Sequence, residues 1–359
     1  MKKTKFAIIG AGNGGQSFAG HLTLLGYPVS LFDVEKEKID GLLKAGSIKV
    51  TGAVKGEAVI PLITGDIGKA VCGADVIMVV IPTLYQRSIA IAMAPFLEND
   101  QIVILNPGAT GGALEVRAAI REAGSTANII IAETDTLLYA CRSPKAGESI
   151  IYGIKDKVEL AALPATAAHK VVKVLNAPFP QFKAVENVLV TSLSNANAMV
   201  HPAPTLLNAG RIESKSPFDY YSDGVTPSLA KVVEKLDAER MGIAKALGVK
   251  VPTIRDFYTS CYGVSGDNLY EQIQKVKAYE GIKGPTTLNT RYLFEDIPTG
   301  LVPLSLLGGA FGVPTPTMNA VIELGNTLLS KNFREEGRSL EKLGLSGKTP
   351  AEIRELVRN

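Results

Sequence analysis

A glycine-rich turn near the start of the chain constrains the fold more than any other feature. The run Gly10-Ala11-Gly12-Asn13-Gly14-Gly15 directly follows the apolar segment Phe6–Ile9 and precedes an amphipathic stretch. Glycines spaced as GxGxxG between a strand and a helix are typical of a turn that receives a pyrophosphate, because the helix N-terminus offers free N–H groups. The sequence therefore predicts that a dinucleotide binds to Gly10, Gly12, Asn13, Gly14 and Gly15.

An acidic residue at the end of the second predicted strand supports this interpretation. Asp33 lies eighteen residues after Gly15, where an acid accepts hydrogen bonds from the ribose hydroxyls of such a ligand. A carboxylate at this position would repel a 2′-phosphate, although Lys36 and Lys38 lie close enough in the chain to weaken the repulsion. We therefore expect NAD as the cofactor in preference to NADP.

The first half of the chain alternates short β-branched runs with amphipathic stretches. Buried strands are predicted at Phe6–Gly10, Val29–Asp33, Val76–Ile81, Ile102–Leu105 and Ile129–Ala132. Helices are predicted between them at Gln16–Leu25, Lys36–Ala45, Leu84–Ala94 and Gly112–Ala123. We also expect an inserted hairpin at Ser47–Thr51 and Glu57–Ile60, and late strands at Ser149–Ile154 and Val158–Ala162 that extend the sheet. Such alternation predicts a doubly wound α/β domain of the Rossmann type.

The pattern changes after a cluster of residues that break regular structure. Asn176-Ala177-Pro178-Phe179-Pro180 is a plausible hinge. Beyond it, helices are predicted at Val188–Val200, Ser228–Leu247, Pro252–Ser260, Leu269–Val276 and Met318–Leu329. We therefore expect a Rossmann dinucleotide-binding domain over residues 1–180 and an all-helical substrate and catalytic domain over residues 181–359.

Charge and cysteine content exclude several classes of protein. The net charge is +3 and the basic residues are interspersed with acidic ones, which is unlike a nucleic-acid-binding surface. Three widely separated cysteines give neither a disulfide framework nor the ligand spacing of a metal site. No apolar stretch approaches the length of a membrane span. We expect a cytoplasmic protein without a metal, a membrane partner or a nucleic-acid partner.

One histidine stands out among the three in the chain. His201 follows Asn197 by four residues, so both lie on one face of a predicted apolar helix that ends or kinks at Pro202. Polar side chains on such a face are costly to bury unless they form hydrogen bonds. A structural network and a catalytic site both explain this pattern.

Two other polar segments are candidates for the same site. Arg291 could hold a carboxylate with two hydrogen bonds, and Asp296 could orient a histidine, although a surface charge pair explains both equally well. In the first domain, Asn106 and the pair Glu133-Thr134 follow the ends of predicted strands. Ligands bind at the carboxyl ends of strands in open α/β sheets.

Taken together, these segments resemble the opine dehydrogenase family, including its bacterial N-(1-D-carboxyethyl)-L-norvaline and octopine-nopaline types. The resemblance rests on Gly10–Gly15, Leu105–Glu115, Thr191–Arg211 and Asn289–Pro303, which span nearly the whole chain. It implies a Rossmann domain joined to a helical opine dehydrogenase domain. It also implies the NADH- or NADPH-dependent reductive condensation of an amino acid with a 2-oxo acid such as pyruvate.

The resemblance also assigns roles to particular residues. The family's histidine–aspartate pair falls on His201 and Asp296, its substrate-binding arginine on Arg291, and its Glu-Thr pair on Glu133 and Thr134. With histidine's ordinary pKa of about 6.5, His201 would exchange protons with the reacting oxygen near neutral pH. Asn106, Thr134 and Asn197 are further candidates for substrate contacts. The chain has no tryptophan, which invertebrate octopine dehydrogenases use in the amino-acid site, so arginine is not expected as the amine donor. The mildly apolar surroundings favour an aliphatic amino acid.

Two alternatives share parts of this pattern. A 2-dehydropantoate reductase or glycerol-3-phosphate dehydrogenase would have a similar first domain, but Glu186–Asn208 lacks the lysine that those enzymes use there. A dinucleotide-sensing module without turnover would not need the polar residues around His201 and Asp296. A homodimer is expected only from the class of enzyme, and neither the amino acid nor the oxo acid follows from the sequence.

Overall fold

A computed structural model describes residues 3–359 of the chain. The chain divides into two compact units. The first holds the residues up to Ser192 together with Glu355–Asn359, and the second holds Leu193–Arg354. The division therefore follows Ser192, later than the expected boundary at residue 180, and the chain returns to the first unit at its end.

Two β-sheets form the first unit. Over residues 3–359 the strands are β1 (Phe6–Ile9), β2 (Val29–Phe32), β3 (Ile48–Gly52), β4 (Gly56–Ala58), β5 (Leu62–Thr64), β6 (Val76–Val79), β7 (Ile102–Leu105), β8 (Ile130–Thr134), β9 (Tyr139–Arg142), β10 (Glu148–Ile154), β11 (Val158–Leu163) and β12 (Phe182–Ala184). Eight of them form the main sheet in the order β12-β11-β8-β7-β6-β1-β2-β5. Neighbouring strands are parallel, except that β11 runs antiparallel to β8.

The central strands of this sheet are buried on both faces. Every residue of β1, β6 and β7 is buried, as expected for strands of a parallel sheet that helices cover on either side. The helices of this unit are Asn13–Leu24, Lys36–Ala45, Ile67–Val71, Gln86–Met93, Gly112–Glu122 and Ala168–Leu175. Because β1, β7 and β8 run in the same direction, their carboxyl ends lie along one edge of the sheet.

The second sheet corrects one of the sequence-based predictions. The hairpin of β3 and β4 forms as expected, and Val158–Leu163 joins the main sheet. The prediction that Ser149–Ile154 extends that sheet is wrong, because β10 pairs with β3 and β9 instead. Contacts with the first helix fix this arrangement: the Ser17 and Ser149 hydroxyls lie 2.8 Å apart, and the rings of Phe18 and Tyr139 are 4.6 Å apart. These contacts join residues far apart in the chain, so local strand patterns do not reveal them.

The hinge expected at 176–180 is also wrong. This segment is a turn inside the first unit, because it connects a helix to β12, which pairs with β11. Phe179 is buried and packs edge-on against the rings of Phe18 and Phe182, with centroids 5.5 and 5.9 Å away.

The second unit is helical, as the sequence predicts. The described helices after residue 187 are Val188–Leu193, Asn197–Val200, Pro202–Leu207, Ala209–Glu213, Pro227–Leu247, Ile254–Tyr262, Leu269–Gln274, Arg291–Phe294, Ile297–Leu301 (a π-helical turn), Val302–Ala310, Pro316–Leu329, Phe333–Glu336 and Pro350–Arg358. The longest, Pro227–Leu247, begins where the Thr226 hydroxyl accepts a hydrogen bond from the Leu229 N–H, and it ends at Gly248 with a φ of 69°. Both are ordinary signals for the ends of a helix.

A single helix was expected over Val188–Val200, but the structure has two. The first ends at Leu193, whose carbonyl oxygen accepts a hydrogen bond from the buried guanidinium of Arg240. Arg240 also forms an ion pair with Asp237. A side chain from more than forty residues away thus satisfies the carbonyl group at the end of this helix.

Two kinds of feature are absent from residues 3–359. None of its helices is long and apolar enough to cross a membrane. No group of three or more histidine, cysteine, aspartate or glutamate side chains in residues 3–359 is placed to hold a metal ion.

Candidate active site

The glycine turn leaves open space at one position and none at two others. Gly10 has a φ of 108°, and an added Cβ would lie 2.5 Å from the Val80 carbonyl oxygen. A Cβ on Gly15 would lie 1.7 Å from the Gly10 carbonyl oxygen. At Gly12 a Cβ would meet no protein atom within 4 Å. The fold itself therefore requires Gly10 and Gly15, whereas no protein atom fills the space beside Gly12.

A cavity of about 280 Å³ lies against this turn. It is lined by Ala11, Gly12, Asn13, Gln16, Lys38, Leu42, Ser143, Lys145 and Ala146. The Asn13 side-chain oxygen accepts a hydrogen bond from the Ser143 N–H at 2.8 Å, which holds the 143–146 segment beside the turn. The open position, the helix N-terminus and two lysines fit the phosphates of a dinucleotide.

Asp33, which is expected to contact the ribose of the cofactor, also forms hydrogen bonds with protein groups. Its side chain is 8 % exposed and accepts hydrogen bonds from the N–H groups of Ala11 at 2.7 Å and Glu35 at 2.9 Å. The Lys38 ammonium lies 3.7 Å from the same carboxylate. Asp33 therefore braces the glycine turn, and Lys38 offsets part of its negative charge.

Asn106 follows β7 and has an oxygen without a partner. Its side-chain N–H₂ donates to the Ile104 carbonyl oxygen at 3.0 Å, whereas the buried Oδ1 has no hydrogen-bond partner. A buried polar atom in this state is costly unless a ligand or water supplies a donor. The structure therefore places a free acceptor at the carboxyl end of the central sheet.

Glu133 and Thr134, at the end of β8, are held by protein groups. The fully buried Glu133 carboxylate accepts hydrogen bonds from the Ala113 N–H at 2.7 Å, the Thr191 hydroxyl at 2.5 Å and the Ser192 hydroxyl at 3.0 Å. The Thr134 hydroxyl lies 2.9 Å from the Thr136 carbonyl oxygen. These contacts tie β8 to the start of one helix and to the chain segment that leaves the first unit.

His201 lies at a break between two short helices. Asn197–Val200 ends before it and Pro202–Leu207 begins after it, because Pro202 has no N–H to donate to the preceding turn. His201 itself keeps right-handed helical angles, with φ −106° and ψ −55°. The backbone remains anchored, since the His201 N–H donates to the Asn197 carbonyl oxygen at 3.0 Å and its carbonyl accepts from the Thr205 N–H at 3.1 Å. The break predicted at Pro202 is present.

The imidazole of His201 pairs with Asp296. Nδ1 lies 2.7 Å from Asp296 Oδ2, and the two side chains are only 6 % and 7 % exposed. An ionised carboxylate only accepts hydrogen bonds, so Nδ1 donates to Asp296 and Nε2 is the ring nitrogen that carries the lone pair in the neutral imidazole. Asp296 directly precedes the π-helical turn Ile297–Leu301, and such turns are frequent at functional sites.

Three tyrosines that the sequence analysis did not select surround this imidazole. The Tyr221 hydroxyl lies 3.2 Å from Nε2, the Tyr292 ring stacks on the imidazole at 4.1 Å, and the Tyr220 hydroxyl donates to the His201 carbonyl oxygen at 2.9 Å. Burial raises the pKa of Tyr220 and Tyr221 well above the usual value, so both keep their protons near neutral pH. Seven of the eleven tyrosines lie between residues 220 and 292. This clustering is the one sequence feature that could have pointed to them.

Arg291 and Asn197 are exposed, unlike the buried pair. The Arg291 side chain is 67 % exposed and its guanidinium lies 3.5 Å from Glu295 in a loose ion pair. Asn197 is also exposed, one helical turn before His201. Both are therefore accessible to a ligand.

The two parts of the chain match two protein families. Residues 184–329 match the family described as NAD/NADP octopine/nopaline dehydrogenase, alpha-helical domain. Residues 5–123 match the NAD-dependent glycerol-3-phosphate dehydrogenase N-terminus.

Several known proteins are similar over nearly the full length. An opine dehydrogenase of Arthrobacter sp. (strain 1C) is 48 % identical over 99 % of each chain. The ocs protein of Agrobacterium vitis is 30 % identical over 96 % of each chain. A solved structure of octopine dehydrogenase with NADH and L-arginine has a TM-score of 0.84 at 20 % identity, and covers 99 % of this chain and 98 % of its own. At that identity the structural match concerns the fold alone.

Proposed function

This chain belongs to the opine dehydrogenases, NAD(P)-dependent oxidoreductases that condense an amino acid with a 2-oxo acid, and we propose that His201 and Asp296 perform the proton transfers of that reaction. The observation that supports this proposal most strongly is the buried 2.7 Å hydrogen bond between Nδ1 and the Asp296 carboxylate. It fixes the tautomer and stabilises the imidazolium, as the acid of a catalytic triad does. His201 then acts at the oxygen of the oxo acid through Nε2.

The reaction needs a proton at two stages. The amine attacks the carbonyl carbon, and the former carbonyl oxygen takes a proton from His201. Loss of water from this adduct requires a second proton on the same oxygen. The nitrogen releases one proton, which recharges the imidazole, and keeps the other, so that water loss leaves a protonated imine. The nicotinamide, when bound, supplies the hydride that reduces the resulting imine.

The glycine turn is the proposed cofactor site. Gly12, with its open space, would lie against the pyrophosphate, and Asp33 would accept from the ribose hydroxyls with the lone pairs that the protein does not use. We propose NAD as the preferred cofactor because of this carboxylate. Lys38 and Lys145 in the same cavity would allow some use of NADP.

Residues at the edge of the sheet are proposed to serve the substrates in two ways. Asn106 Oδ1 has no protein donor, so it is the candidate for direct contact with a bound ligand. Glu133 is fully buried with three protein donors. Its proposed role, like that of Thr134, is therefore to position neighbouring groups.

The exposed polar residues of the second unit are proposed to bind substrate carboxylates. The Arg291 guanidinium lies 3.5 Å from Glu295 and 5.9 Å from the centre of the Tyr292 ring, but the side chain is 67 % exposed, so it is accessible to both oxygens of a substrate carboxylate. Asn197 would add a hydrogen bond from the same helix that leads to His201. An aliphatic amino acid is the proposed amine donor.

Family membership decides between the alternatives that the sequence left open. The glycerol-3-phosphate dehydrogenase match covers only residues 5–123, whereas the opine dehydrogenase match extends over 99 % of the chain. A 2-dehydropantoate reductase, a glycerol-3-phosphate dehydrogenase and a dinucleotide-sensing module without turnover are therefore excluded. We propose that the protein is cytoplasmic, which its three free cysteines support. We also propose a homodimer, on the basis of the class of enzyme alone.

The test is a matrix of 2-oxo acids against amino acids, followed by NADH absorbance. We expect oxidation to require one compound of each class, with pyruvate and aliphatic amino acids giving higher kcat/KM than arginine. Full-rate oxidation with a 2-oxo acid alone would identify a hydroxy-acid dehydrogenase instead. The same matrix with NADPH measures the cofactor preference.

A further inference from the structure

The Tyr221 hydroxyl has an unusual hydrogen-bonding situation. Among the described residues its one hydrogen-bond partner is His201 Nε2, at 3.2 Å. Its side chain is buried. The neighbouring Tyr220 hydroxyl differs, because it contacts both the His201 carbonyl oxygen and the Thr205 hydroxyl.

Aromatic packing holds Tyr221 in place. Its ring stacks on Tyr279 with centroids 3.8 Å apart and meets Tyr220 edge-on at 4.9 Å. Burial raises the pKa of its phenol, as noted above, so the hydroxyl keeps its proton. Tyr221 is therefore a fixed hydrogen-bond donor directed at the nitrogen that exchanges protons.

A substrate oxygen changes the hydrogen bonds at this point. While Nε2 carries a proton and forms a hydrogen bond to that oxygen, it cannot accept a hydrogen bond from Tyr221. The phenol would then be a buried donor without an acceptor, which is unfavourable. The cost disappears if the phenol donates to the same oxygen, and a separation of 3.2 Å between two donors allows both to reach one acceptor.

We propose that Tyr221 is a further catalytic residue, whose hydroxyl donates a second hydrogen bond to the reacting oxygen beside His201. This inference rests on the proposed role of His201. As the amine forms its bond to carbon, the C=O π bond breaks and its electron pair moves to the oxygen. His201 transfers the proton to that oxygen. Tyr221 transfers none and stabilises the developing negative charge, as a donor of an oxyanion hole does.

Tyr221→Phe removes the hydroxyl and keeps the stacked ring. Removing one such donor lowers kcat about 10²-fold. We expect that loss with KM for both organic substrates and the Kd for NADH unchanged within about threefold, because the bond strengthens only in the transition state. Tyr258→Phe is the matched control, since that phenol is also buried but contacts the Tyr279 hydroxyl instead. It should keep the wild-type kcat.

Four outcomes separate this proposal from the one on which it rests. A kcat within about threefold of wild type in Tyr221→Phe would overturn the role of Tyr221. So would equal losses in Tyr221→Phe and Tyr258→Phe, or a rise in KM with a fall in the melting temperature, because these indicate packing. If His201→Asn keeps its turnover, the proposed role of the histidine fails first, and that of Tyr221 fails with it.

Discussion

The glycine turn of the first unit offers open space, whereas the His201 centre of the second offers side chains that already have protein partners. A Cβ at Gly12 would touch nothing within 4 Å, but both ring nitrogens of His201 lie within hydrogen-bond distance of neighbours. The turn is built from six consecutive residues. The centre joins residues 201, 221, 292 and 296.

This difference reflects two kinds of task. A pyrophosphate is recognised by backbone geometry, which a short glycine-rich segment provides by itself. Proton transfer requires a side chain in a fixed tautomer and orientation, and that demands support from several elements. Mutations in the two regions should therefore have different effects. Those in the glycine turn should lower the affinity for NADH, and those around His201 should lower kcat.

The largest effect is expected at the histidine. His201→Asn should lower kcat by about 10²–10⁴-fold, the usual contribution of general acid–base catalysis, with NADH affinity unchanged. Asp296→Asn should also lose rate, because an amide neither fixes the tautomer reliably nor stabilises the cation. In the double variant the losses should not multiply, since the residues act as a unit. Turnover above about a tenth of wild type in His201→Asn would rule out the proposed role.

At the turn, Gly12→Val should weaken NADH binding while the protein stays folded. The added side chain meets no protein atom at its Cβ, so its clash is with the cofactor, at about 1–3 kcal/mol for overpacking. Fluorescence titration measures the affinity and thermal unfolding measures the fold. Gly15→Val is the contrasting variant, because its Cβ would lie 1.7 Å from a backbone oxygen and should lower the melting temperature. Wild-type NADH affinity in Gly12→Val would mean that the pyrophosphate lies elsewhere.

Arg291 tests whether the second unit also has a binding function outside its buried centre. Arg291→Lys should raise KM for at least one organic substrate about tenfold, because the lysine ammonium cannot form the bidentate hydrogen bonds that a guanidinium forms with a carboxylate. NADH affinity should not change. Arg334→Lys serves as the control, since that arginine pairs with Glu323 and Asn319. If the KM of neither organic substrate changes in Arg291→Lys, the arginine does not bind a substrate carboxylate.

The smallest expected effect concerns the cofactor's 2′ position. Asp33→Ser should lower the ratio of kcat/KM for NADH over NADPH about fivefold, since one charge at 4 Å in water is worth about 1 kcal/mol. Lys38→Ala should shift the ratio in the opposite direction, because Lys38 lies 3.7 Å from Asp33. A wild-type enzyme that already prefers NADPH would contradict the proposed effect of the carboxylate.

Much of the fold was predictable because its signals are local. The strands at 29–32 and 102–105 are continuous apolar runs, and the helix Lys36–Ala45 has an amphipathic pattern. The predictions for Ser149–Ile154 and for the hinge at 176–180 were wrong for a shared reason. In both cases a distant partner, the edge of β3 or the ring of Phe18, decides where the segment goes.

The sequence by itself determined the βαβ start, the glycine turn, the helical second unit and the break at Pro202, because each depends on neighbours within a few residues. The resemblance of several segments to one family paired His201 with Asp296. Only the tertiary structure decided that Tyr221 meets Nε2, that Tyr292 stacks on the imidazole and that Glu133 is enclosed by protein donors. Such contacts join positions up to 91 residues apart in the chain, and no local pattern records which of many tyrosines and carboxylates will meet when the helices pack.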